Sequence, residues 1–134
     1  MLLCALLTTP FLGALLCLGL SEDRGRRRVL VAVPWIHLAL AGLWGRFGSP
    51  CPPEAWLGLG DLGLLLLLVT ELLFALTSLA LPGYLAAHEL PPGRNRRWSR
   101  ETLFSATLLA FLGTMTLALA SRHMGLFWMS IEAT

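Results

Sequence analysis

Residues 56–81 read WLGLGDLGLLLLLVTELLFALTSLAL, a run of 26 residues interrupted by two acids, Asp61 and Glu71. About 20 residues of helix cross a ~30 Å hydrocarbon layer at 1.5 Å per residue. The run meets that length. Its apolar residues are continuous, not alternating, so they do not read as a half-buried strand. A short open sheet in lipid would also leave its backbone N–H and C=O groups unpaired. This stretch therefore reads as a membrane-crossing helix.

Four other apolar segments repeat the pattern. They cover about residues 1–20, 29–45, 102–120 and 122–134. The first three are long enough to cross, 29–45 only just. The last would cover roughly half the distance. The expectation is one all-α transmembrane domain over residues 1–134, with four full helices and the start of a fifth. Composition agrees: 56% of the 134 residues are hydrophobic, 13% are charged and the mean hydropathy is +0.72. A soluble domain carries about 25% charged residues. Residues 1–20 lack a basic region before the apolar stretch, and Leu16 before Cys17 departs from a lipoprotein cleavage box. This segment reads as a retained helix.

The arginines set the orientation. Four lie in residues 21–28, one in 46–55, four in 82–101 and one in 121–123. By the positive-inside rule the first and third loops face the cytoplasm and the N-terminus lies outside. The expected location is the bacterial inner membrane.

Several function classes drop out. A net charge of +2 is too small to point to nucleic acid. Cys4, Cys17 and Cys51 form no CxxC pair and have no histidine at ligand spacing, so no metal site is expected. No phosphate loop, flavin motif or haem ligand pair is present, so no cofactor is expected in this chain. Pro34 should kink the second helix by removing one hydrogen bond. Thr102, Ala106, Ala110, Thr114 and Ala118 repeat every fourth residue, a candidate face for close helix approach.

The ionisable residues inside the spans carry the functional question. Counted along their helices, Glu132 lies about 15 Å from the outer surface, Glu71 about 15 Å and His37 about 12 Å from the inner one. All three fall near the midplane of a ~30 Å core. Asp61 is shallower, about 7 Å from the outer start of its helix. An acid at the centre of a membrane helix costs roughly 2.5 to 3.5 kcal/mol. Retaining several at one depth suggests a proton path, since carboxyl and imidazole groups can take up and release protons there. The plain alternatives are a protonated Glu71 bonded to a neighbouring hydroxyl, a satisfied buried His37, and an Asp61 that caps its helix at the interface.

Three stretches carry a resemblance. LGLGDLGLLLLLVTELLFALTSLALPGYL, RRWSRETLFSATLLAFLGTMTLALA and SRHMGLFWMSIEAT resemble the third, fourth and fifth helices of the antiporter-like membrane subunits of respiratory complex I and membrane-bound hydrogenases. The wording LFW-x-x-x-E-A-T is closest to hydrogenase-4 component F. The first 55 residues agree in hydropathy and orientation only. The resemblance implies that Glu132 is a proton-channel residue coupled to a lysine on a seventh helix. Glu71 has no counterpart in that scheme, and the chain has no lysine. Since such subunits have about fourteen helices, the resemblance also implies an N-terminal fragment or split subunit that does not transport protons alone.

The expected function is thus the N-terminal part of a proton-translocating subunit in a hydrogenase-4-like or NADH:quinone oxidoreductase-like complex. Glu132, His37, Glu71 and Asp61 would form the relay, and redox catalysis would lie in other subunits. Expected partners are the lipid bilayer, other membrane subunits, and protons or cations. Cation antiporters and inorganic-carbon uptake modules share this architecture. A different class is a membrane scaffold or assembly subunit whose acids make only interhelical bonds. A lipid-modifying enzyme would have only His88 and Glu89 to work with, and His123 reads as a solvated loop residue.

Overall fold

The computed structural model describes residues 1–20, 22–48, 55–87 and 100–134. They form five helices: α1 (Leu2–Gly19), α2 (Asp23–Phe47), α3 (Asp61–Ala87), α4 (Arg100–Ala120) and α5 (Met124–Glu132). The one β-bridge among the described residues pairs Leu57 with Ser121. The chain is all-helical, and α1 to α4 are long and apolar enough to cross a membrane.

Three boundaries differ from the sequence expectation, the first two for a local reason. α2 begins at Asp23, well before residue 29, because Arg26 turns inward and is fully buried. α3 begins at Asp61, not at residue 56, because the preceding chain is tied to the end of α4. The Gly58 N–H donates to the Ala120 carbonyl (2.8 Å), and the Arg122 N–H donates to that of Trp56 (2.9 Å). The Trp56 and His123 rings stack 4.9 Å apart in the same place. His123 is therefore more than a solvated loop residue: its Nδ1 also accepts from the Gly125 N–H at 3.2 Å and caps α5. α3 runs past residue 81, through Pro82, to Ala87.

The helices pack as a four-membered ring. α1 lies against α2 and α4, and α3 against α2 and more lightly α4, while among the described helices α5 touches α4 alone. Contacts are tight where a side chain is missing. A Cβ on Gly13 of α1 would stand 2.8 Å from Val33 Cγ2 of α2, and one on Gly113 of α4 would stand 2.8 Å from the Phe11 ring of α1. The buried face of α4 is Thr102, Ser105, Ala106, Leu109, Leu112, Gly113, Thr116, Ala118 and Ala120. Ala110 and Thr114 of the expected four-residue row are only half-buried. A strict four-residue step drifts about 40° per repeat on a 3.6-residue helix, so such a row leaves the contact within a few turns.

Two apolar clusters fill the interior. Ala14, Cys17, Leu30, Val33, Leu81, Ala106 and Leu109 pack at the end that carries the arginines, and Leu6, Ala41 and Leu67 toward the other end. Leucines also cover the outside of the bundle, Leu15, Leu65 and Leu73 among them, as expected where lipid is the solvent.

Candidate functional site

Between the two apolar clusters sits a polar pair. His37 lies on the buried stripe of α2, between Val33 and Ala41. Glu71 lies on the buried stripe of α3, between Leu67 and Ala75. Both residues are 0% exposed. His37 Nδ1 and Glu71 Oε1 stand 2.6 Å apart. That is an ion-pair distance, although the approach lacks the alignment of a hydrogen bond. A small turn of the carboxyl group restores the alignment, whereas two bare lone pairs would repel at this separation.

The other ring nitrogen fixes the tautomer. His37 Nε2 stands 2.6 Å from the backbone carbonyl of Leu6 in α1. A carbonyl only accepts, so Nε2 carries the hydrogen. The Leu6 carbonyl is open to this contact because its ordinary helical donor would be the nitrogen of residue 10, which is Pro10. A proline on α1 thus removes a donor, and a histidine on α2 supplies one.

With Nε2–H committed, a proton shared between Nδ1 and Oε1 would have two places to rest. On the carboxyl group it leaves a neutral acid beside a neutral imidazole. On the ring it leaves a carboxylate beside an imidazolium. The pair has no net charge in either state, so moving the proton between the two atoms adds no charge to the membrane interior. Glu71 Oε2 is buried without a hydrogen-bond partner and is the unengaged end of the pair.

The structure brings together two of the four expected relay residues. Glu132 is exposed as the last residue of α5, and Asp61 is exposed as the first residue of α3. Neither side chain makes an ion pair or hydrogen bond among the described residues. Among the described residues no hydroxyl bonds Glu71; Ser78 donates to Ala75 and Thr77 to Leu73, each within α3. His88, Glu89 and Cys51 lie outside the described residues. No group of three potential metal ligands occurs among the described residues.

A second buried charge escaped the sequence reading. Arg26 is 0% exposed and reaches Asp23 and the Thr102 hydroxyl of α4. Beside it, Arg27 Nε donates to Glu101 of α4 at 2.9 Å. Together they clamp α2 to α4 at the arginine-bearing end. The buried stripe of α2 could have revealed Arg26, since Arg26, Leu30, Val33, His37 and Ala41 recur every three or four residues. Pro10 could have signalled the histidine contact, because a proline inside a membrane helix always releases one carbonyl.

Comparisons with known proteins add no relative: no family model, no curated protein and no solved structure matches the chain.

Proposed function

We propose that this chain is a proton-handling membrane subunit, the N-terminal part of a proton-translocating component in a hydrogenase-4-like or NADH:quinone oxidoreductase-like complex. The observation that carries the reading is the sealed His37–Glu71 pair, 2.6 Å apart and fully buried, which could share one proton with no net charge. A charge moving nearby would bias where that proton rests, because charges interact strongly in a medium of low polarity. Glu71, with its unengaged Oε2, would pass the proton onward. Glu132 enters through the resemblance of GLFWMSIEAT to the fifth helix of such subunits. It would act at a separate place, exposed on α5, where other membrane subunits or the rest of the same component could supply its partner. Electron transfer would take place elsewhere in the complex.

A second reading has its own observation. His37 Nε2 caps the carbonyl that Pro10 releases, so the pair also holds α1, α2 and α3 together. On that reading the chain is a scaffold or assembly subunit and moves no protons.

The substitution Glu71→Gln separates them. An amide N–H can still donate to Nδ1, so the helices stay joined, but it neither accepts nor releases a proton. In the reconstituted complex, with proton uptake read by a vesicle-trapped pH dye and assembly by native electrophoresis, normal assembly with slowed pumping supports the proton reading. Normal assembly with unchanged pumping supports the scaffold.

A further inference from the structure

The seam between α2 and α3 holds two cavities in succession. At the arginine-bearing end an open groove of about 480 Å³ is lined by Arg27, Arg28, Val31, Ala32 and Pro82. A smaller cavity of about 190 Å³ is lined by Leu30, Pro34, Phe74, Thr77, Ser78 and Leu109, among others. Pro82 and Ser78 lie one turn apart on one face of α3, as do Val31 and Pro34 on α2. The two cavities therefore follow each other from the bundle end toward its middle.

Their chemistry differs along this line. In the inner cavity both hydroxyls are spent within their own helix, Thr77 on Leu73 and Ser78 on Ala75. That leaves a space suited to hydrocarbon and poor for a polar ligand. At the outer groove the walls are apolar and the rim is cationic. Arg27 is engaged by Glu101. Arg28 is exposed and makes no ion pair or hydrogen bond among the described residues. The described charges at this end are Arg24, Arg26, Arg27, Arg28 and Arg100 against Glu22, Asp23 and Glu101. Positive charge is in excess, and the acids at 23 and 101 are already used by Arg26 and Arg27.

We propose that this seam binds one anionic phospholipid, with its phosphate on Arg28 and one acyl chain lying along α2 and α3 toward Ser78. A guanidinium takes a phosphate in two parallel hydrogen bonds. Basic pockets between membrane helices at headgroup level attract acidic lipids for the same reason. An open apolar groove followed by a smaller apolar cavity inside the bundle fits a flexible chain better than a folded protein surface. This site is independent of the proton chemistry at His37 and Glu71.

The test is native mass spectrometry of the full chain in detergent, titrated with phosphatidylglycerol or phosphatidylcholine of matched chains. Phosphatidylglycerol should be retained several-fold more strongly. Arg28→Gln should weaken that retention about five-fold, the equivalent of ~1 kcal/mol for one arginine near the headgroups. Arg24→Gln, at an exposed arginine of the same helix end that does not line the groove, should leave it unchanged. Ala32→Trp fills the groove from an exposed position and should weaken retention of both lipids. Equal retention of the two lipids by the unsubstituted chain overturns the proposal. So do equal losses from Arg24→Gln and Arg28→Gln, which would mean a diffuse charge effect. An unaffected Ala32→Trp, or complete displacement of the lipid by inorganic phosphate, would show that no chain occupies the seam and overturn it as well.

Discussion

Glu71 is sealed between α3 and α2 against an imidazole, whereas Glu132 ends the nine-residue α5 and is exposed. Both are glutamates in apolar runs, placed by residue counting at similar depth. Their surroundings show what burial demands. An acid inside the bundle needs a partner built for it, because an unpaired buried polar group costs ~1–3 kcal/mol and an unpaired charge more. Here the partner is His37, and His37 is itself held by a carbonyl that Pro10 leaves open. An exposed acid places no such demand on its own chain. The first site draws its partners from α1, α2 and α3, with only Glu71 Oε2 left unengaged, while the second has no side-chain partner among the described residues.

The largest effect should come from breaking the first site. His37→Ala removes the donor to Leu6 and the partner of Glu71 together, and should lower stability by about 3 kcal/mol. Glu71→Ala should cost nearly as much, and Glu71→Gln less than ~1 kcal/mol, because the amide still donates to Nδ1. Thermal unfolding of the detergent-solubilised chain checks this order. If Glu71→Gln proved as damaging as Glu71→Ala, proton sharing at 2.6 Å would be the wrong description of the contact.

A smaller effect would sharpen the account of the carbonyl. Pro10→Ala gives Leu6 back its helical donor, so His37 becomes partly redundant. In that background His37→Ala should cost about 1 kcal/mol less than in the natural sequence, one hydrogen bond's worth. Equal costs in both backgrounds would mean that the Nε2 contact with Leu6 contributes nothing.

The two sites were unequally legible in the sequence, for a physical reason. His37 and Glu71 announce themselves because ionisable groups are rare and costly in a membrane span. That they meet could not be read, because pairing depends on how α2 and α3 are rotated. Residues 62–68 of α3 are nearly all leucine, and in lipid leucine suits the outside as well as the core. The inward face of α3 shows only in its exceptions, Glu71, Ala75 and Ser78. Arg26 was hidden differently: four arginines in residues 21–28 read as a loop, yet Asp23 and Thr102 let one of them enter the bundle. The midplane depth of Glu132 follows only from counting along a continuous span. Counting gives depth along a helix but says nothing of which side it presents.

An ion pair outside the midplane sets the scale for partial exposure. Arg27 and Glu101 are each less than one-fifth exposed (19% and 16%) and join α2 to α4. Arg27→Ala should cost about 0.5–1 kcal/mol, more than a fully solvated pair and well below the loss at His37. A loss as large as that of His37→Ala would place the main fastening of the bundle at its end and not at its middle.

The smallest expected effect on stability falls on Glu132. Its side chain is exposed and makes no hydrogen bond or ion pair among the described residues, so Glu132→Gln should change the unfolding free energy of the isolated chain by no more than about 0.5 kcal/mol in either direction. In the complete complex the same substitution should stop proton uptake while assembly continues, if Glu132 serves as the fifth-helix glutamate of antiporter-like subunits does. The pairing of a silent stability change with a lost activity is what distinguishes a site finished by other helices from one finished here. A Glu132→Gln chain that unfolds as readily as His37→Ala would reveal a partner within α1 to α4 and erase the contrast between the two acids. One that is silent in both assays would remove Glu132 from the proton path and leave the His37–Glu71 pair as the sole candidate.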